Sequence, residues 1–429
     1  MKRNLIIELK EKIGKEVFIS GWVHKIRKLS KVIFLVLRDR SGLVQLVIDP
    51  KLYDLKGLKL ESVISVKGLV KSSDNKISNV ELQVLELKVI SYALEDLPIS
   101  INGEEAEGNI DTRLNNRVIS LRNPKTNAVF KVQSVLVQGF IEFLKNEEFT
   151  QVFTPKIVAE GAEGGTALFK VKYFEKMAYL AQSPQFYKQM LVGAGFERVF
   201  EVGQVYRAEE HNTLRHLNEY VSLDLEMGFI EDERDIMEME RKLLIYMFSK
   251  VNEECKRELQ LLEAHIPVVG DKIPSMKLSD AIRILKEKYG KNELSEDLDP
   301  EGERLIGDYA GKFLNSDLLF LTHYPRSKRP MYTMPLGENL THSFDLLYKG
   351  LEITTGGQRI HDYQMLIDNM ICKGLNADNY KGYLDTFKFG MMPHGGLAIG
   401  LERLTAQLLG FKNVRETTLF PRDRERMTP

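Results

Sequence analysis

Over the first 95 residues, apolar positions recur at every second residue in short runs. Residues 16–24, 32–39, 43–48, 63–70 and 80–90 each alternate in this way. That is the period of a strand with one buried face. A basic turn at 25–28 follows the first run, and Arg40-Ser41-Gly42 follows the second. Leu52 to Leu60 reads as a helix between the third and fourth runs. Five strands and one helix predict a small closed Greek-key barrel. Residues 96–108 are acidic and polar and carry Gly and Pro, as linkers do.

The period then changes. Val132, Val135, Leu136, Phe140 and Phe143 share one helical face within residues 129–146, and 147–155 reads as a strand ending at Pro155. Residues 200–206 and 221–226 flank a charged loop and predict an antiparallel pair. Residues 395–400 are glycine-rich, and Leu401, Leu404 and Leu408 are helically spaced after them, which puts Arg403 in a first turn. The chain therefore reads as α+β. It has an N-terminal barrel of the OB type over 1–95, a hinge over 96–125 and a larger domain of sheet and helices over 126–429.

A length of 429 residues fits two or three domains. With 43% hydrophobic and 28% charged residues the composition is that of a soluble globular protein. The net charge is −1, so contact with nucleic acid has to rest on local patches. Cys255 and Cys372 can build neither a disulfide framework nor, alone, a zinc site, which fits a reducing cytoplasm. No apolar run suits a signal peptide or a membrane span, so no membrane partner is expected.

Barrels of this type bind single-stranded nucleic acid through basic and stacking side chains. Arg27, Phe34 and Gln45 are the candidates, although Phe34 fits a core position as well as a stacking platform. In the larger domain Asp345 and Glu352, with Thr355 nearby, offer the hard oxygens that suit Mg2+. Glycines at 395, 396 and 400 allow a flat ligand to approach the backbone, and Arg403 beside them suits a nucleotide's ring and phosphates. Each polar stretch alone fits a surface ion-pair network. Together they predict an anion-binding site.

The arrangement resembles the class II aminoacyl-tRNA synthetases. The helix and strand ending at Pro155 resemble motif 1 (about 132–155), Arg207-Ala208-Glu209 through His216 resembles motif 2 (about 200–226), and Gly400-Leu401-Glu402-Arg403 resembles motif 3 (about 395–410). With the barrel in front, the chain is similar to subclass IIb, whose members charge aspartate, asparagine or lysine. Within it the chain resembles the short archaeal-type aspartyl enzymes. The resemblance implies an antiparallel sheet flanked by helices, a homodimer through motif 1, ATP as substrate and Mg2+. It implies two steps, formation of aspartyl-adenylate and transfer to the tRNA 3′ end. Arg207 would grip the α-phosphate and the attacking carboxylate, and Arg403 the adenine and γ-phosphate. These are the two catalytic residues. Glu209 would hold the adenine edge, Arg215, His216 and Leu217 the loop side of ATP, and Gly400, Leu401, Glu402 and Glu352 the rest of the nucleotide site. Glu352 and Thr355 would carry the metal, with Asp345 as an outer helper.

Lys188 and Arg359 match the aspartyl pattern. Two cations converging on a side-chain carboxylate form charge-assisted hydrogen bonds, whereas asparagine's amide would point donors at donors. Losing one partner of such a buried pair costs roughly 2–5 kcal/mol. By resemblance, Glu163, Gln185 and Asp224 complete the aspartate site, with Glu163 and Asp224 near the ammonium.

The anticodons of tRNA(Asp) and tRNA(Asn) differ by a single base. Archaeal-type enzymes that discriminate between them carry tryptophan at the position of His24 and lysine in the loop matching 74–79. Relaxed enzymes carry histidine and proline. This chain has the histidine but lacks the proline, and Ile77 aligns to that position with Lys76 beside it. His24, Arg27, Phe34, Gln45, Lys76 and Ile77 are thus the anticodon candidates. The balance favours the relaxed type, charging both tRNAs and feeding a downstream amidotransferase. A discriminating aspartyl enzyme, an asparaginyl enzyme and a non-catalytic relative are the alternatives.

Overall fold

The computed structural model describes residues 2–75, 77–161, 168–210 and 213–429. They form two compact units, one ending at Thr126 and one beginning at Asn127.

The first unit is a closed barrel with strand order Glu16–Lys28, Ile33–Asp39, Gly42–Ile48, Val80–Ser91, Val63–Ser72. The alternating apolar positions, among them Ile19, Leu35, Leu46, Val66 and Leu82, fill its interior. A 3-10 helix, Ile6–Lys12, adds Ile6 and Leu9 to that core. Two expectations fail here. Residues 52–60 are successive turns, not a helix. The side chains of Asp49 and Asp54 accept from the backbone N–H groups of Lys51 and Lys56, and Gly57 takes φ +81°, so local turn chemistry overrides the leucine spacing. Leu55 and Leu58 still reach the core. The supposed basic turn at 25–28 continues the first strand, paired with residues 33–36 across a bulge between Val23 and Lys25. The bulge shifts the period, and Val23 and His24 are both buried.

Residues 96–125 carry the helices Ile110–Asn115 and Arg117–Ser120. Asn109 caps the former by accepting from the N–H of Thr112 at 2.9 Å.

The second unit is built on an eight-stranded sheet. Its order is Ser275–Lys277, Leu318–Thr322, Ser343–Tyr348, Leu351–Arg359, His394–Gly400, Glu219–Gly228, Arg198–Tyr206, Thr150–Gln151. Only the two outermost pairings are parallel. Helices Pro124–Asn146 and Glu233–Glu254 pack Leu136, Phe140, Leu243 and Met247 against Leu223, Leu225, Leu397 and Ile399. The pleat sends the residues between those four, Ser222, Asp224, Glu226, Ala398 and Gly400, to the opposite face. That face carries the candidate site. The strand expected over 147–155 is reduced to Thr150–Gln151. Glu148 takes φ +64°, and Thr154 turns its N–H and hydroxyl to the Glu201 carboxylate, so the ladder stops before Pro155. Among the described residues no helix is long and apolar enough to cross a membrane.

Candidate active site

The four middle strands of the sheet floor a cavity of about 560 Å³. Motif-2 candidates Arg207, Glu209, Arg215, His216 and Leu217 line it. So do Glu352, Thr355 and Arg359 from strand Leu351–Arg359, and Gln185 and Asp224. Gly400, Glu402 and Arg403 close it from the third motif. Lys188, Asp345 and Leu401 do not line it, and Glu163 lies outside the described residues.

At the end expected to take the nucleotide, the chain crosses itself repeatedly. Arg207 follows strand Arg198–Tyr206. Its N–H donates to the Asn218 carbonyl at 2.9 Å, and Asn218 Nδ2 donates back to the Arg207 carbonyl at 2.7 Å. Its guanidinium lies 5.8 Å from the Tyr220 ring centre. Arg403, in the first turn of helix Leu401–Leu409, donates from Nη1 to the Glu352 carbonyl at 3.1 Å and from Nε to the Arg215 carbonyl at 3.3 Å. It thus ties the second and third motifs to the strand between them. Thr213 Oγ1 is 2.6 Å from His216 Nδ1, and Arg215 Nη2 donates to Glu303 at 2.5 Å.

The glycines divide by role. A Cβ on Gly396 would come within 2.1 Å of Glu226 Oε2, and one on Gly395 within 2.8 Å of the Gly357 carbonyl, so these two serve close packing within the sheet. A Cβ on Gly400 would meet nothing nearer than Arg403 at 3.8 Å. Glu402 turns to the sheet, where its carboxylate accepts from the Val221 N–H at 3.1 and 3.2 Å. Burial pushes its pKa up to about 7. Leu401 packs in the core below.

Glu352 is held as an anion. Burial pushes its pKa up, but Arg403, Arg329 and Arg207 more than offset this and hold it below the usual range. Thr355 Oγ1 donates to its carboxylate at 3.2 Å, and Thr355 sits directly opposite Asp345 across the strand pair. Asp345 Oδ1 is buried 2.8 Å from Arg329 Nη2, without hydrogen-bond alignment. Two carboxylates and a hydroxyl are hard donors that fit Mg2+, which characteristically takes one or two carboxylates together with substrate phosphates. Among the described residues no group of three or more His, Cys, Asp or Glu side chains is placed to hold a metal ion, so this donor set would rely on a ligand's oxygens as well.

At the other end, both expected cations are engaged by carboxylates of the chain itself. Lys188 Nζ, fully buried, lies 2.8 Å from Asp224 Oδ1, 3.5 Å from Glu226 Oε2 and 3.3 Å from the carbonyls of Leu225 and Leu397. Arg359 donates from Nε to Glu226 Oε1 and from Nη2 to the Gly396 carbonyl, each at 3.0 Å. Gln185 Nε2 reaches Glu226 Oε2 at 3.4 Å. Burial pushes Glu226 up, but Arg359, Lys188 and His394 outweigh it and hold the carboxyl below its usual value. Arg359 therefore faces the cavity while Lys188 sits beneath its floor, with Glu226 joining the two.

A family model described as tRNA synthetases class II (D, K and N) matches residues 109–424. This chain belongs to that family. An OB-fold nucleic acid binding domain model matches residues 17–90 of the synthetase. A Thermus thermophilus protein named aspartate–tRNA(Asp/Asn) ligase is 50% identical to it, with both chains covered in full. A Pyrococcus furiosus protein named aspartate–tRNA(Asp) ligase is 40% identical, with 97% of each chain covered. The solved asparaginyl-tRNA synthetase of Pyrococcus horikoshii, complexed with asparaginyl-adenylate, superposes with a TM-score of 0.92 at 30% identity over all of both chains.

On the synthetase's barrel, Arg27 pairs with Phe34, and Phe34 with Val47, two residues beyond Gln45. Pairing and alternation put Arg27, Phe34 and Gln45 on one outward face, with Phe34 half-buried and outside the core. Gln45 Nε2 donates to Glu81 at 3.3 Å. His24 lies at the bulge, 4% exposed, with Nδ1 3.2 Å from Arg38 Nη1. Burial, helped by Arg38, lowers its pKa to about 4. Ile77 is exposed in a turn held by Asn75 Oδ1, and Lys76 lies outside the described residues.

Two residues of the catalytic unit, Glu303 and Arg329, are not picked out by the sequence, and Glu226 appears there only as a charged residue of its strand without a role. Only Leu225 separates Glu226 from Asp224, so a strand puts both carboxylates on one face. Glu303, which holds Arg215, and Arg329, which lines the cavity, gave no local signal.

Proposed function

We propose that this synthetase is an aspartate–tRNA ligase acting on both tRNA(Asp) and tRNA(Asn) through aspartyl-adenylate. The observation that carries the amino acid is the Lys188–Glu226–Arg359 chain at one end of the cavity. Arg359 offers a fixed cation to a substrate side-chain carboxylate, and Lys188 helps keep Glu226 ionised and holds Asp224 in place. Asp224, which lines the cavity, takes the substrate's ammonium with Gln185 beside it. A neutral asparagine side chain would leave Arg359 underpaired, and a site built for one polar group rejects its analogue strongly.

The α-carboxylate attacks the α-phosphorus, the bond to the β-phosphate oxygen breaks, and pyrophosphate leaves. The tRNA 3′-terminal hydroxyl then attacks the acyl carbonyl and AMP leaves. Arg207 aligns the attacking carboxylate with the α-phosphate and stabilises charge there, while Arg403 holds the far end of ATP. Glu209 and the Arg215–Leu217 segment border the nucleotide. Glu352 and Thr355, with Asp345 behind, would hold Mg2+, which would supply charge neutralisation to the phosphates.

Action on both tRNAs is supported by His24 and by the Thermus relative's name. It implies an amidotransferase downstream to convert the misacylated tRNA(Asn). A cytoplasmic homodimer is part of the same reading. Pyrophosphate exchange with aspartate and with asparagine tests the amino acid. The reading expects exchange with aspartate alone, and exchange with asparagine of equal efficiency would overturn it.

A further inference from the structure

Arg329 lines the cavity, and the proposed reaction gives it no role. It follows the short 3-10 helix Arg326–Lys328. Its Nη2 comes within 2.8 Å of Asp345 Oδ1, yet neither atom has hydrogen-bond alignment, and Nε has no acceptor at all. The guanidinium lies 3.7 Å from the Tyr324 ring centre. Asp345 itself does not line the cavity. The backbone that carries Arg329 is pinned. Lys373 Nζ donates to the carbonyls of Arg326 and Ser327 at 2.7 and 3.1 Å, and Arg326 Nε donates to Asn369 at 2.8 Å. The part with freedom to change partner is the Arg329 side chain.

A guanidinium held on Asp345 puts a positive charge beside Glu352 and Thr355 and draws on the carboxylate's charge, so it competes with a divalent cation there. The metal needs an approach of about 2.1 Å, and the two cations would repel each other across the carboxylate. Phosphate, in contrast, offers a guanidinium the forked acceptor that Asp345 does not provide here. We propose that Arg329 exchanges between Asp345 and the phosphates of a bound nucleotide, so that metal and nucleotide bind as a coupled pair. This rests on the reading of Glu352, Thr355 and Asp345 as the metal's donors. It makes the metal site competent only when the incomplete donor set can be filled by phosphate oxygens. By linkage, nucleotide strengthens metal binding by the same factor that metal strengthens nucleotide binding.

The test is Mn2+ binding to the full-length protein, followed by electron paramagnetic resonance of free Mn2+, with and without α,β-methylene-ATP. Arg329→Gln is expected to bind Mn2+ about tenfold more tightly than wild type without nucleotide, and to lose most of the tightening that the analogue gives wild type. Arg329→Met, whose stem still packs on Tyr324, is expected to behave the same and serves if the glutamine variant does not fold. Unchanged or weaker Mn2+ binding without nucleotide overturns the proposal. So does tightening by one common factor with and without the analogue, which is what a charge acting only through space would give. Glu352→Gln separates the underlying reading. If it leaves Mn2+ binding with the analogue at the wild-type value, the metal assignment itself is wrong. If it abolishes that binding while the Arg329 variants do nothing, only the exchange is wrong.

Discussion

Replacing Glu226 with glutamine removes one negative charge from a fully buried site between two cations. Breaking a buried ion pair from one side typically costs about 3–5 kcal/mol, because the other charge stays buried and unpaired. Here the loss is buffered. Lys188 keeps Asp224 at 2.8 Å and two carbonyls, and Arg359 keeps the Gly396 carbonyl. The lower end, about 3 kcal/mol, is therefore expected at pH 7. The new amide also sets a donor among the donors of Gln185, Lys188 and Arg359. Arg359 then loses the contact that fixes its Nε, and the KM for aspartate should rise about tenfold to a hundredfold, each tenfold being about 1.4 kcal/mol. The pH dependence has a definite sign. Glu226 is held below its usual value of 4.5, so its contribution is complete above that pH and is lost as pH falls through the lowered value. The variant should thus lose stability at pH 7 and approach wild type in acid. Urea unfolding at pH 7 and at successive steps below pH 4.5, with pyrophosphate exchange across aspartate concentrations, measures both effects. A destabilisation below about 1 kcal/mol at pH 7 with an unchanged KM would refute the reasoning, since that is the scale of an exposed pair.

Three further outcomes are expected. Arg207→Ala should abolish adenylate formation without unfolding the protein, and near-normal pyrophosphate exchange with an unchanged melting curve would count against its role. Glu240 is fully buried beside Thr354, and burial raises its pKa to about 8. Wild type should lose stability as pH climbs from about 4.5 through about 8, at up to about 1.4 kcal/mol per unit, and Glu240→Gln should remove that slope. Equal urea midpoint shifts at pH 6 and pH 8.5 would contradict this. Gly396→Ala should destabilise by more than about 3 kcal/mol, because the new methyl meets backbone at 2.2 Å and Glu226 at 2.1 Å, and a melting temperature within a few degrees of wild type would disprove that packing role.

Legibility in the sequence followed the range of the interactions involved. The barrel strands were readable because alternation is local and the interior is uniformly apolar, as Ile19, Leu35 and Val66 show. The turns at 52–60 were misread because Leu52, Leu55 and Leu58 mimic helical spacing while Asp49, Asp54 and Gly57 set the backbone. Charged residues could be named, but their depth could not. Arg207, Glu352, Arg359 and Arg403 face a common cavity, whereas Lys188 and Asp345 lie behind it. That difference comes from which strands are neighbours, and strand order is long-range information. The bulge that buries His24 depends on its pairing partner in the same way. Arg329 reaches Asp345 from beyond a short helix whose carbonyls Lys373 holds.

The most direct test of the account is charging of purified tRNA(Asp) and tRNA(Asn) transcripts, side by side, with labelled aspartate and labelled asparagine. The account predicts that aspartate is attached to both tRNAs and asparagine to neither. Attachment of asparagine to tRNA(Asn), or of aspartate to tRNA(Asp) alone, would contradict it.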